Sequence, residues 1–307
     1  MPLHAFDRNR AASARIQRLI GHFEFREASV AQLAREDALR MLEEDAGASD
    51  IAASVVGRNR RMRAQVLARE DAVLCGRPWV EAVLRQLEAQ SGLAWQASEG
   101  ARCAAGQVVL EITGHARTLL AAERTALGCL QRLSAVATRT AAFAEVVRDT
   151  RTQIVDSRQV LPGWRMAQKY AVRIGGGSPH RAGLHDAILI KENHVAAAGG
   201  VRAALQAAAQ AATGAMFVQV EVSSLAQLDE ALSHGAHMIV LNGMALPTLR
   251  DAVRRNEAAL EARAVLEVAD GVTLANARAL ADAGIDRISL GALGEDTRWA
   301  DFRMRFV

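Results

Sequence analysis

The chain has 307 residues, half of them apolar and 23% charged, with 37 Lys and Arg against 34 Asp and Glu. That length supports a large domain plus a smaller one, and a net charge of +3 is too small to mark a nucleic-acid-binding protein. No apolar run approaches the roughly 18 residues that span a bilayer, and Cys75, Cys103 and Cys129, widely spaced and without a CxxC pair, read as reduced packing residues.

The N-terminus mixes Arg8, Arg10, Arg15, Arg18 and Arg26 with Asp7 and Glu24 and has no apolar signal core. It predicts a solvated leading helix, with the cytoplasm as the expected compartment. Residues 27–60 read as helical, with Leu33, Leu39, Met41 and Leu42 as apolar positions and a turn at Gly47 to Asp50. Residues 61–118 carry short β-like runs (Ala64 to Ala68, Val73 to Gly76, Gln107 to Thr113) around a helix near Val80 to Gln90, a small α+β layer.

From Leu119 to Val147 a long Ala- and Leu-rich stretch predicts one helix, followed by repeated strand-then-helix units. The strand candidates are Gln153 to Ser157, Ala187 to Lys191, Phe217 to Val222, Met238 to Leu241, Val265 to Val268 and Arg287 to Leu290. Leu225 to Leu232 and Thr273 to Ala283 are helix candidates, the latter with Thr273 as N-cap. This alternation predicts parallel strands in an α/β barrel or a doubly wound sheet. In either, the chemistry lies at the C-terminal ends of the strands. That rule selects Asp156 to Gln159, Lys191 to His194, Glu221, Asn242 and Gly243, Ala269 to Gly271, and Gly291 to Leu293.

The charged residues near those ends are mostly cationic: Arg158, His180, Arg181 and Lys191, with Arg124 and Arg173 on helical segments nearby in sequence. Several desolvated cations without partners are costly, so such a rim calls for an anionic small molecule. Fork-shaped guanidinium groups suit carboxylates or phosphates. The run Gly175-Gly176-Gly177 reads either as a backbone cradle for an anion or as a flexible connection. Glu221, an acid inside the apolar run FVQVEV, needs a cation, a metal or a ligand hydroxyl. His185 and His194 read as supporting residues, and Asp50 as a turn residue.

The stretches ERTALGCLQRLSAVAT (Glu123 to Thr138) and DSRQVLPGWRMAQKYAVRIGGGSPHRAGLHDAILIKENH (Asp156 to His194), with the later VEVSSLAQLDEAL, LEVADGVTLAN and GIDRISLGAL segments, resemble quinolinate phosphoribosyltransferases from about residue 35 onward. The resemblance implies a type II phosphoribosyltransferase fold: an α+β sandwich domain (1–118, completed by 294–307) and an incomplete parallel α/β barrel (119–293). It also implies a homodimer whose sites borrow residues from the neighbouring subunit. The implied reaction joins quinolinate to phosphoribosyl pyrophosphate with Mg²⁺ and releases the 2-carboxylate, giving nicotinate mononucleotide. By that resemblance Arg124 (from the partner), Arg158, His180, Arg181 and Lys191 grip the substrate carboxylates. Glu221 serves the ribose and metal side, and Lys191, His180 and Glu221 are the candidate catalytic groups.

At the donor side the chain departs from the family pattern. Gln159 stands for a lysine, Val160 and Leu161 for threonines, Asn242 and Gly243 for an Asp-Asn pair, Ala269-Asp270-Gly271 for Ser-Gly-Gly, and Gly294-Glu295-Asp296 for Thr-His-Ser. Trp164 replaces a smaller apolar residue. These changes remove cations, add an anion and weaken a hard-cation site, for which no confident metal ligands are assigned. At ~1.5–3 kcal/mol per charge-assisted contact, losing several costs on the order of 10³-fold in donor binding. The expectation is therefore an enzyme, divergent from the family, that decarboxylates quinolinate or a similar pyridine dicarboxylate to nicotinate without a donor. The alternatives are an active quinolinate phosphoribosyltransferase that retains Mg²⁺, or a non-catalytic protein that binds pyridine acids.

Overall fold

The computed structural model describes residues 25–45, 47, 50–259, 263–291, 293 and 297–307. The predicted leading helix through residue 24, Ser49, and Gly294 to Asp296 lie outside the described residues. The chain divides into two compact units, one of residues 25–141, 160–176 and 292–307, the other centred on 142–159 and 177–291. This division differs from the expected boundary at 118/119, because most of the long helix and a later helical segment group with the first unit.

The first unit opens with α1 (Glu27–Asp45), followed by strands β1 (Arg61–Ala68) and β2 (Ala72–Val73), helix α2 (Arg77–Leu87), strands β3 (Gly92–Trp95), β4 (Arg102–Cys103) and β5 (Val108–His115), and helices α3 (Ala116–Val146) and α4 (Arg165–Ile174). Helix α1 stops at Asp45, short of the expected residue 60. Its buried stripe is Val30, Ala34, Asp37, Ala38 and Leu42, whereas Leu39, expected inside, is exposed. Asp37 is buried because it accepts the indole N–H of the fully buried Trp79 at 2.8 Å. An antiparallel sheet orders the C-terminal strand (Phe302–Phe306), β1, β5 and β3, with Ala64 opposite Phe306 on one side and Ile112 on the other. Alternate residues Ala64, Val66 and Ala68 face the core, the period-2 pattern of a strand with one covered face. Glu99 accepts the backbone N–H groups of Gly76 and Arg77 at 2.8 and 3.1 Å, satisfying donors that the start of α2 leaves open.

Gly175, directly after α4, has a tight neighbour. A Cβ there would lie 2.4 Å from the carbonyl oxygen of Ala137 and 2.7 Å from Thr140 Cβ on α3. The glycine therefore serves close helix packing, and this part of the glycine run is not an anion cradle.

The second unit is a parallel sheet of β6 (Gln153–Asp156), β7 (Ile188–Ile190), β8 (Val218–Val222), β9 (Met238–Leu241), β10 (Val265–Val268) and β11 (Arg287–Leu290), in the order β6-β11-β10-β9-β8-β7. Helices α5 (Glu192–Ala198), α6 (Val201–Ala211), α7 (Leu225–Ser233), α8 (Leu246–Ala258) and α9 (Leu274–Asp282) connect successive strands. This is an incomplete α/β barrel, as expected. All residues of β9, β10 and β11 are buried, as strands covered on both faces must be. Ser224 caps α7 and Thr273 caps α9, each side chain accepting the N–H of the third helical residue. Beyond the free edge of β6, Ser178 pairs parallel with Val155, so the chain entering His180 runs alongside the sheet. Among the described residues, no helix is long and apolar enough to cross a membrane.

Candidate active site

The rim of the second unit assembles from the strand ends. Asp156 closes β6, and its carboxylate accepts the backbone N–H of His180, fixing the segment that follows Ser178. The next residue, Arg181, is 8% exposed and donates through Nη1 to the Ala187 carbonyl at 3.2 Å. Asp186 closes this loop by accepting the N–H groups of Ala182 and Gly183 at its two oxygens. Burial pushes the Asp186 carboxyl upward, but those backbone donors and neighbouring His185 outweigh it, so its pKa is lowered overall. His185 is itself exposed.

Arg158, exposed just past β6, lies close enough to Arg181 to repel it. Burial first, then the Arg158 charge, lowers the pKa of the Arg181 guanidinium, with Asp186 pulling the other way. Two like charges that feel each other favour an anion at this part of the rim, above all a carboxylate, which suits a guanidinium fork.

Continuing round the rim, Lys191 ends β7 and begins α5 with an exposed side chain, and its backbone N–H donates to His194 Nδ1 at 3.1 Å. Glu221, near the end of β8, is half-buried, and Asn242 beyond β9 donates its side-chain amide to Glu221 Oε1 at 2.8 Å. That contact supplies the partner that an acid inside an apolar strand requires. Gly243, Asp270 and Gly271 are exposed beyond β9 and β10, with Ala269 half-buried beside them. The carboxamide of Gln159 lies over Gly291, where a Cβ would come within 2.4 Å of its oxygen. Arg124 is exposed on α3 in the first unit, and Trp164, half-buried, stands at the start of α4 in the same unit.

His180 turns inward. Its Nδ1 accepts the Arg181 N–H at 2.8 Å, and its Nε2 lies 3.1 Å from Gln219 Oε1 and 3.6 Å from Glu267 Oε1. The Gln219 amide donates to Glu267 Oε2 at 3.0 Å, and Arg287 Nε stands 3.5 Å from the same oxygen. Gln219, Glu267 and Arg287 are all buried. Burial pushes the Glu267 carboxyl up, yet Arg287, His180 and the Gln219 amide together bring it down to about 2. The strand-end rule misses these three residues because they sit inside the strands. The signal was present for Glu267: it is an acid in the apolar run VLEV, the same anomaly that marks Glu221.

Among the described residues, no group of three or more His, Cys, Asp or Glu side chains is placed to hold a metal ion. The rim carboxylate of Glu221 still fits a Mg²⁺ ion that takes most of its ligands from substrate phosphates, the usual arrangement for that ion. Cys75, Cys103 and Cys129 are free and buried.

A parallel α/β barrel with two arginines, a lysine and a carboxylate near its strand ends has the architecture of a barrel enzyme, and its rim suits a small anion. Comparison with known proteins gives the family. The description "Quinolinate phosphoribosyl transferase, N-terminal domain" matches residues 50–134, and its C-terminal counterpart matches residues 136–305. The chain belongs to the quinolinate phosphoribosyltransferase family. It is 40% identical over 239 residues to the nicotinate-nucleotide pyrophosphorylase (carboxylating) of Mycobacterium leprae, covering 77% of this chain and 83% of that protein. A probable enzyme of the same name from Synechocystis is 34% identical over 266 residues, 87% of this chain and 90% of its own length. The solved nicotinate-nucleotide pyrophosphorylase of Francisella tularensis superposes with a TM-score of 0.85 at 32% identity, covering 90% of this chain and 97% of that one. The expected divergence from the family is not borne out, since the matches run through both of its domains.

Proposed function

We propose that the chain is a quinolinate phosphoribosyltransferase that makes nicotinate mononucleotide. The observation that carries this reading is the set of cations, Arg158, Arg181 and Lys191, that the strand ends gather at the rim of a barrel whose relatives bear that activity in their names. The full-length likeness favours the transferase over the donor-free decarboxylase expected from the sequence.

In this reading Arg158 and Arg181 hold the pyridine carboxylates, with Lys191 completing the positive rim. Arg124 joins them from the partner subunit of a homodimer. Held so, the ring nitrogen attacks the anomeric carbon of the donor and displaces pyrophosphate. The cationic ring then releases the 2-carboxylate as CO₂, and the carbon left behind takes up a proton. Mg²⁺, when bound, offsets the charge of the donor's diphosphate. Glu221 is the carboxylate that would hold it. The three buried free thiols suit a reducing compartment such as the cytoplasm.

One contact favours donor-free decarboxylation as a second reading. Asn242 donates to Glu221 and so occupies one oxygen of that carboxylate. One experiment separates the two: purified protein is incubated with quinolinate, with and without phosphoribosyl pyrophosphate and Mg²⁺, and the products are identified by mass spectrometry. Nicotinate mononucleotide formed only with donor supports the transferase. Nicotinate formed without donor overturns it in favour of the decarboxylase. Quinolinate binding with no product under either condition overturns both.

A further inference from the structure

The chain of contacts beneath the rim has a fixed direction. Glu267 is a carboxylate and can only accept, so the Gln219 amide nitrogen facing it donates. The Gln219 oxygen is thereby turned toward His180, and His180 Nε2 must donate to it. The opposite ring nitrogen, Nδ1, accepts the Arg181 backbone N–H. Reversing any link leaves a buried donor facing a donor or an acceptor facing an acceptor, and such a mismatch is costly at burial this complete.

We infer that Gln219, Glu267 and Arg287 are positioning residues: through His180 they fix the backbone at Arg181, and His180 itself neither donates a proton to the substrate nor touches it. Geometry supports this on three sides. His180 is 6% exposed, and its ring packs edge-on against Phe217 at 5.3 Å, facing the barrel interior. The Asp156 carboxylate holds the His180 backbone N–H. The Arg181 guanidinium in turn is tied to the Ala187 carbonyl, so the residue is anchored at its backbone and near its charged tip. A displaced Arg181 backbone would move one half of the Arg158–Arg181 pair. The cost would fall on binding of the dicarboxylate, not on the bond-making steps.

The inference rests on the proposed site for a pyridine dicarboxylate, and two measurements keep its failure distinct from a failure of that reading. The first needs no activity. In protein carrying ¹⁵N-labelled histidine, the His180 resonance, assigned with His180→Asn, should show a proton on Nε2 and a bare Nδ1 at pH 8. A proton on Nδ1 would overturn the inference whatever the enzyme does. The second is steady-state kinetics with quinolinate and phosphoribosyl pyrophosphate. Gln219→Met, close in volume and without an acceptor for His180, should raise KM for quinolinate about tenfold and leave kcat and the donor KM within about threefold. His180→Ala should raise the same KM, and His180→Asn, which keeps an acceptor for the Arg181 N–H, should recover part of it. A kcat loss of about 10³-fold in both His180 variants at unchanged KM, as expected of a direct proton donor, would sink the idea. So would an unaltered quinolinate KM in Gln219→Met.

Discussion

Asn242 Nδ2 donates to Glu221 Oε1 at 2.8 Å, joining the ends of β8 and β9 through a neutral amide and a carboxylate. Replacing the amide with a second carboxylate converts a hydrogen bond into a like-charge contact unless a cation intervenes. Asn242→Asp should lose about 1 kcal/mol of stability in metal-free buffer at pH 7 and regain it in millimolar Mg²⁺. Thermal unfolding with and without Mg²⁺ reads this directly. Equal melting temperatures for variant and parent in both buffers would contradict it.

Arg181→Met removes the buried member of the cation pair. KM for quinolinate should rise by roughly 10–100-fold, the worth of a charge-assisted contact, while the donor KM changes little. Initial-rate measurements with each substrate varied in turn provide the check.

Glu267 links stability to pH. Its carboxyl titrates at about 2 in the folded chain against an ordinary 4.5. A depressed carboxyl stabilises the fold above its unfolded value, and that contribution is lost as the pH falls from about 4.5 towards 2. The difference corresponds to on the order of 3 kcal/mol. In urea unfolding, Glu267→Gln should be markedly less stable than the parent at pH 7, where it also strands the Arg287 charge. The gap should narrow as the pH approaches 3.

Gly175→Ala places a methyl group 2.4 Å from the Ala137 carbonyl oxygen. The two helices must separate or bend, which should cost about 1–3 kcal/mol. Gly163→Ala provides a contrast: there the difficulty is a φ of +81° with open space around it. Its cost should therefore come from backbone strain alone and be nearer 1 kcal/mol. Melting temperatures rank the two.

Arg124 and Lys191 test the proposal that the site is shared across a homodimer. Arg124→Ala and Lys191→Ala homodimers should each be nearly inactive with quinolinate. Unfolding them together and refolding the mixture should restore activity, because a mixed dimer has one site with both residues intact. An inactive mixture that contains demonstrable heterodimer would rule out a contribution across the dimer.

The parallel sheet was legible in the sequence almost strand for strand. Met238 to Leu241, Val265 to Val268 and Arg287 to Leu290 appear with the predicted bounds, because short apolar runs between capped helices have few other ways to bury themselves. Helix α1 was harder, since its apolar residues do not mark the buried face. Asp37 is inside and Leu39 outside, a choice made by the distant indole of Trp79 that no local pattern reveals. The rim residues could be read from the rule that strand ends carry chemistry. The layer beneath could not, because that rule overlooks side chains within strands. Gln219 looks like an ordinary polar residue until the fold brings Glu267, forty-eight positions later, to its amide.

The C-terminal strand pairs with β1, so the antiparallel sheet joins its first strand in the chain to its last. During synthesis β1 leaves the ribosome long before that partner exists. All six strands of the parallel sheet emerge in between. The unit begun first is thus finished last, and β1 must wait with one edge open while the barrel forms. Removing the C-terminal strand would therefore leave the outer edge of β1 unpaired, a ready template for pairing with another chain.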